Sequence, residues 1–265
     1  MPERKADLRI VVSANRRFLQ YEDGTPFFWL GDTGWLLLTR LSKPEALVYL
    51  DDRRSKGFNV IQAMLVHSLP GANVYGETPF VDADPGRPRV TDGHDYWDHV
   101  EWVIDQARER GIYMALVCCW GSVVKSGRVS PEQARRYGLF LGERFREKPN
   151  VFWITGGDIY GDQHADVWHA LGSALKEADP NHLVTFHPFG RTQSSTWFHD
   201  APWLDFNMFQ SGHRRYDQDP DGKGEDNWRY VEEDYEKVPV KPTLDGEPSY
   251  EGIPQGLHDP SQPLW

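Results

Sequence analysis

The feature that most constrains this chain is a rhythm in which short, nearly continuous apolar runs alternate with amphipathic segments from residue 27 to residue 244. The runs at 27–31 (FFWLG), 59–65 (NVIQAML), 112–119 (IYMALVCC), 151–155 (VFWIT), 183–187 (LVTFH), 205–210 (DFNMFQ) and 240–244 (VKPTL) lack polar alternation, as strands of a parallel sheet covered on both faces do. The segments between them carry helix signals. Ser42 leads to Glu45, and Ser130 leads through Pro131 to Gln133, both at capping-box spacing. In 95–110 apolar residues recur at Tyr96, Val100, Val103, Ile104 and Ala107, a stripe that Gly111 closes, and 164–178 behaves similarly before Asp179-Pro180. The chain therefore reads as α/β, built from βα units. Right-handed crossovers joining seven such strands lead to a (β/α)8 TIM-type barrel or to an open doubly wound sheet, which periodicity does not separate. The length of 265 residues sits near the roughly 250 of a bare barrel.

Ahead of the first run, RRFLQYEDGTPFFWLG predicts an N-terminal β-hairpin turning at Asp23-Gly24. Residues 1–265 are expected to form one catalytic domain. After Glu247 the tail PSYEGIPQGLHDPSQPLW is rich in Gly and Pro and offers no eighth apolar run. The expectation is a barrel lacking its last βα unit and C-terminally incomplete, or one whose gap the hairpin helps to cover. Two polar stretches, 67–93 and 211–227, exceed ordinary connections and read as rim loops that shape a site.

Charge narrows the partners. With 29 Lys plus Arg against 40 Asp plus Glu, the net charge of −11 repels polyanions, which argues against nucleic acid or an anionic membrane and favours a neutral substrate. No stretch reaches the roughly 18 apolar residues of a membrane span, and the charged start MPERKADLR has no apolar region behind it, so a cytoplasmic location is expected unless a leader has been removed. Cys118 and Cys119, the only cysteines, are adjacent and are not expected to pair. Eleven Trp offer flat apolar faces that suit sugar rings, although taken singly each is better read as core.

Polar residues gather just after the strand runs: Asp32, His67, Trp120, Asp158, His187, Gln210 with His213, and Glu247. In a barrel these positions share the C-terminal rim, where active sites form. Asp158 follows VFWITGG, whose two glycines let the backbone turn sharply, and Glu247 is delivered between Gly246 and Pro248. Two carboxyl groups flanking a bond are what glycoside hydrolysis needs, one to protonate the leaving oxygen and one to attack the anomeric carbon or activate water. Asp158 and Glu247 are the expected pair, with Trp120, Trp153 and Glu247 as the environment that raises the Asp158 pKa. Asp32, Trp35, Gln62, Trp120, His187, Gln210 and His213 are the expected substrate-binding residues. No cofactor or metal is expected, and the oligomeric state stays open. Two other classes compete: a metal-dependent barrel hydrolase using His67, His187, His213 and Asp32, which lacks a tight ligand motif, and a non-catalytic carbohydrate-binding barrel, which would need no paired carboxyls.

The segments FFWLGDTGW (27–35), KGFNVIQAM (56–64), NVYGETP (73–79), ITGGD (154–158), WFHDAPWLDFNMFQSGH (197–213) and KPTLDGEP (241–248) resemble the apiosidase-like glycoside hydrolases, formerly the DUF4038 domain, over nearly the whole chain. The resemblance implies a (β/α)8 barrel that hydrolyses apiosyl linkages in pectic rhamnogalacturonan II. It implies a catalytic Asp after strand four and a catalytic Glu after strand seven, positions held here by Asp158 and Glu247. The expected chemistry is retaining, with Glu247 the nucleophile and Asp158 the acid. Exo action is expected from the two long loops.

Overall fold

Side chains along one strand show how the layers are divided. In Tyr113–Val117, Tyr113, Ala115 and Val117 join an inner apolar cluster with Val60, Met64, Phe152, Ile154, Phe206 and Met208. Met114 and Leu116 instead join the outer layer beneath the helices, with Ile61, Ala63 and Trp153. Period-two alternation with both faces apolar is what makes the runs continuous in sequence.

The computed structural model describes residues 6–215, 217, 223 and 226–265. Its strands are β1 (Ile10–Val12), β2 (Leu19–Tyr21), β3 (Gly31–Thr33), β4 (Val60–Met64), β5 (Tyr113–Val117), β6 (Val151–Ile159), β7 (Val184–Pro188), β8 (Thr192–Gln193), β9 (Asn207–Gln210) and β10 (Thr243–Asp245). The helices are α1 (Leu37–Arg40), α2 (Lys43–Ser55), α3 (Tyr96–Glu109), α4 (Gly121–Lys125), α5 (Pro131–Phe145), α6 (Ala165–Ala178), α7 (Ser195–Phe198) and α8 (Trp228–Tyr235). Both capping boxes form, Ser42 with Glu45 and Ser130 with Gln133. The helix read at 95–110 begins at an Asp95 cap and the one at 164–178 follows His164.

Strands β3 to β7 pair in parallel in sequence order, and β9 pairs in parallel with β10. The two sheets meet where Asp205 N–H donates to the Val184 carbonyl and Thr185 Oγ1 donates to that of Phe206 at 2.7 Å. Seven parallel strands thus follow one another around a barrel. Between β10 and β3 no strand ladder forms among the described residues, and the tail 248–265 contributes one isolated bridge, Pro254 with Leu264, rather than an eighth strand. A cleft of about 660 Å³ lined by Trp29, Asp32, Arg53, Asp245 and Tyr250 marks that seam.

Two readings are corrected. The hairpin is β1 with β2, turning within 13–18, while Asp23-Gly24 makes a second, tighter turn that returns only as far as the Gln20–Pro26 bridge. Ile10 and Leu19 of the hairpin pack with Phe27 and Tyr113 in the inner cluster, and its turn reaches the approach to β10, where Arg16 Nε donates to the Val240 carbonyl at 2.8 Å. The first barrel strand starts at Gly31 rather than Phe27, because the Asn59 side chain holds that approach through the Phe28 carbonyl and the Leu30 N–H. Of the rim loop at 211–227, residues 216, 218–222 and 224–225 lie outside the described residues. No described helix is long and apolar enough to cross a membrane.

Candidate active site

Strand β6 ends in an unusual backbone. Gly156, Gly157 and Asp158 all have positive φ, at 89°, 106° and 48°. The ladder with β7 slips between Gly156 and Ile159, a bulge that re-aims the side chain at its crest. A non-glycine residue in the left-handed region costs of order 1–3 kcal/mol, a strain that marks Asp158 as a position held for a purpose. Glycine is required beside it, since a Cβ on Gly157 would stand 2.4 Å from the Trp120 ring.

Glu247 is fixed by its approach. Asp245, at the end of β10, accepts from the Glu247 N–H at 3.2 Å, the Ser211 N–H at 3.3 Å and the Ser211 hydroxyl. Gln62, on β4, donates its amide to the Gly246 carbonyl. The buried Glu247 carboxyl then meets two imidazoles: His187 Nε2, at the end of β7, lies 3.1 Å from Oε2, and His213 Nε2 lies 3.0 Å from Oε1. His213 is anchored by the tail, its carbonyl accepting from Gly256 N–H at 2.6 Å and Trp265 Nε1 at 3.0 Å.

Asp158 faces this group. Its carboxyl, that of Glu247 and the His187 ring offer atoms that all lie within 4.8 Å of one another. Gln210, ending β9, lines the same pocket as Asp158. Trp35 and Trp120 form a half-buried aromatic wall, centroids 5.3 Å apart at 58°, each ring within 6 Å of His187.

The two carboxyls are pushed in opposite directions. Asp158 is open to the pocket as a residue, yet its carboxyl is crowded by protein. Desolvation raises its pKa above the ordinary carboxylate range, opposed by His187 and helped by the Glu247 charge. Burial also disfavours a Glu247 anion, but the hydrogen bonds from His187 and His213 outweigh it and bring its pKa down to about 2. The His187 ring is fully buried, which lowers its pKa, and the bond to Glu247 more than reverses this, so it is held above the usual value. A protonated acid beside an ionised carboxylate is the division of labour that glycoside hydrolysis uses.

Of the residues singled out in the sequence, Asp158, Glu247, Trp35, Trp120, His187, Gln210 and His213 are brought together, and Gln62 borders them through Gly246. Asp32 is not among them. It points out of the barrel to α2, where its carboxylate accepts from the Tyr49 hydroxyl at 2.7 Å and pairs with Arg53. His67 lines a separate cavity of about 420 Å³ with Arg40 and Asn73. Asp158, His187 and Glu247 are the described residues grouped closely enough to hold a metal ion, so the ligand set of His67, His187, His213 and Asp32 does not assemble.

Sequence reasoning missed two features. Tyr250, in the Gly- and Pro-rich tail, accepts from Trp35 Nε1 at 2.8 Å and sets its ring 4.6 Å from that of His213. Arg191, Arg214 and His258 line a pocket of about 230 Å³ against Asp158, Gln210 and His213. The only signal for Tyr250 was an aromatic three residues beyond a candidate carboxylate, and the basic residues lie in loops with no periodicity.

Residues 13–265 match the family described as apiosidase-like, catalytic domain. A glycoside hydrolase family 5 protein from Bacteroides vulgatus ATCC 8482 is similar at 46% identity and TM-score 0.93, the match covering 97% of this chain and 57% of that one. A second structure, described as a glycoside hydrolase, is 47% identical with TM-score 0.91, covering 98% of this chain and 60% of its own. The chain thus spans less than two thirds of either relative. The endo-1,4-β-D-mannanase of Thermotoga petrophila RKU-1, at 16% identity, TM-score 0.51 and coverage of 69% and 68%, shares the fold. No curated protein matches the chain.

Proposed function

The chain belongs to the apiosidase-like family, and on that premise we propose that it hydrolyses O-glycosidic bonds with retention, releasing terminal sugars from acidic, pectic-type oligosaccharides. The observation that carries the reading is the carboxyl pair: Asp158 and Glu247, with oxygens within 4.8 Å and pKa values driven apart. Retaining enzymes place the two groups about 5–5.5 Å apart, inverting ones about 6.5–9.5 Å, and the separation here fits the shorter class. Glu247, ionised and steadied by two imidazoles, is the nucleophile, and Asp158 protonates the leaving oxygen. Trp35 and Trp120 offer faces for the C–H side of the sugar.

The pocket beyond Asp158 supports an acidic leaving group. Arg191, Arg214 and His258 gather there on a chain whose net charge is −11, with Asp158 the single acid among the lining residues. That local inversion of sign favours a uronate over the neutral substrate that overall charge favoured. Gly256, Leu257 and His258 of the tail close one side of the pocket, which supports exo action, and the apiosyl linkage is the specificity the family name suggests. Incubation with a panel of pectic oligosaccharides, read by NMR of the first-formed anomer, tests this. Release of one terminal sugar with retained configuration is expected; no turnover across the panel, or an inverted anomer, overturns it.

A further inference from the structure

Strands β6 and β7 end side by side, and each is followed at the catalytic rim by a large ring. Ile159 and Pro188 are partners in the ladder, and the Phe189 N–H donates to the Ile159 carbonyl at 3.0 Å, so Tyr160 and Phe189 emerge together at the barrel mouth. Their centroids lie 4.8 Å apart with the rings inclined at 36°. Neither ring is buried: Tyr160 keeps 40% of its surface exposed and Phe189 41%. One exposed apolar side chain is ordinary, whereas two aromatic rings in contact at the edge of a catalytic pocket make a flat apolar surface suited to a ligand. The surface is braced from behind. Trp197 meets Tyr160 at 6.1 Å and 68°, and Gly161 lets the chain press onto Trp197, since a Cβ there would stand 2.8 Å from that ring.

Position decides what this surface serves. Phe189 also lines the pocket that holds Asp158, Arg191, Arg214 and His258, so the apolar surface and the basic pocket are continuous. Ile159, between Asp158 and Tyr160, is buried in the outer layer, which leaves its two neighbours on the rim. Whatever sits on the rings therefore lies beside the route by which the leaving group departs. A protein partner seated there would obstruct that route, whereas the leaving chain itself follows it. We propose that Tyr160 and Phe189 form a second leaving-side subsite, where the sugar next to the uronate lays its C–H face on the rings while the uronate occupies the basic pocket. The proposal rests on Asp158 being the acid and on an acidic leaving group. It makes recognition depend on the length of the leaving chain, which the basic pocket alone does not do. The bracing by Trp197 holds Tyr160 in place before the sugar arrives, so little ordering is left for binding to impose.

The test titrates galacturonate and digalacturonate, one and two sugars of an acidic leaving chain, into the 265-residue chain and reads dissociation constants from amide NMR shifts. In the parent, digalacturonate is expected to bind about three- to tenfold more tightly than galacturonate. Tyr160→Ala should bring this ratio close to one while leaving galacturonate binding nearly as it was. Tyr160→Phe keeps the ring and should keep the ratio. Phe189→Leu, which keeps the bulk and gives up the flat ring, should lower it, and the same spectra report whether each variant is folded. A ratio near one in the parent overturns the proposal, as does a ratio that survives Tyr160→Ala or is lost in Tyr160→Phe. If neither ligand binds the parent, the acidic leaving group fails and the subsite with it. Galacturonate binding without a gain for digalacturonate sinks the subsite alone.

Discussion

His187 holds Nε2 3.1 Å from Glu247 Oε2 while its Nδ1 faces the Pro188 carbonyl at 3.1 Å. Both neighbours only accept, so a ring protonated on both nitrogens suits both contacts, the approach of Nε2 to Glu247 being an ion-pair contact. The buried pair is therefore an imidazolium against a carboxylate, and neither charge is left alone in the barrel interior. Replacing His187 by Ala leaves Glu247 with one imidazole and removes a buried ion-pair partner, the loss of which costs the carboxylate on the order of 1.5–3 kcal/mol. The expected loss in kcat/KM is about 10–100-fold, with the acidic limb displaced upward. Steady-state kinetics on an aryl glycoside checks this. An unaltered kcat/KM would mean the pair serves the fold alone.

The opposed shifts of Asp158 and Glu247 fix the sign of the pH dependence. The nucleophile must be ionised, and Glu247, held down to about 2, loses activity only as pH falls towards that value. The acid must be protonated, and Asp158, raised by burial, loses activity as pH rises through its elevated pKa. The kcat/KM profile should be a plateau between the two, with its basic limb above the ordinary carboxylate value near 3.9. Stability follows the same signs. The Glu247 contribution is present above its unfolded pKa of about 4.3 and is lost between there and about 2, so thermal unfolding measured in parallel marks where the acidic limb becomes unfolding. In Asp158→Asn the basic limb should disappear for an activated aryl glycoside. If it persists unchanged, another group sets it.

Local chemistry made part of this architecture legible. The strand ends that deliver Asp158 and Glu247 lie at the close of apolar runs, and both helix starts carry their own caps, so sequence and structure coincide there. Asp32 was misread because a polar residue after an apolar run looks the same whichever face it takes. Its run began four residues late, and its side chain turned to Tyr49 and Arg53. Tyr250, Arg191 and His258 were invisible for a different reason. They sit on irregular backbone, where side-chain direction is set by contacts distant in sequence rather than by a period of 2 or 3.6. The bulge at Gly156-Gly157-Asp158 was half legible: the glycines announced a turn, while the positive φ of Asp158 itself had no signal.

The basic pocket beside Asp158 makes substrate charge a measurable variable. Arg214 is exposed there, so a contact to a uronate is partly screened and its contribution modest. Arg214→Ala should lower kcat/KM about two- to fivefold for a substrate whose leaving sugar is a uronic acid and leave its methyl ester nearly unaffected. Added salt should narrow the difference between acid and ester in the parent enzyme. Equal effects on both substrates would place Arg214 outside the recognition of the leaving group.

Roles within the carboxyl pair are separable, because the two substitutions should fail in different ways. Asp158→Ala removes a general acid worth roughly 10²–10⁴-fold, yet an aryl glycoside with a good leaving group needs little protonation, so its first step should survive. Glu247, still ionised between His187 and His213, attacks, and the glycosyl-enzyme accumulates because no base activates water to release it. A burst of aryl alcohol is therefore expected. Azide needs no base, so its addition should speed turnover and give a glycosyl azide of retained configuration. Glu247→Ala should show no burst, having no group to hold the sugar. Azide entering the vacated space would attack from the nucleophile's side and yield at most the inverted product. Stopped-flow absorbance for the burst and proton NMR of the azide product read both variants. If the patterns were exchanged, Asp158 would be the nucleophile and Glu247 the acid, against the pKa ordering in the structure. If both variants kept the parent rate, neither carboxylate would be catalytic, and hydrolysis would have to run through other residues.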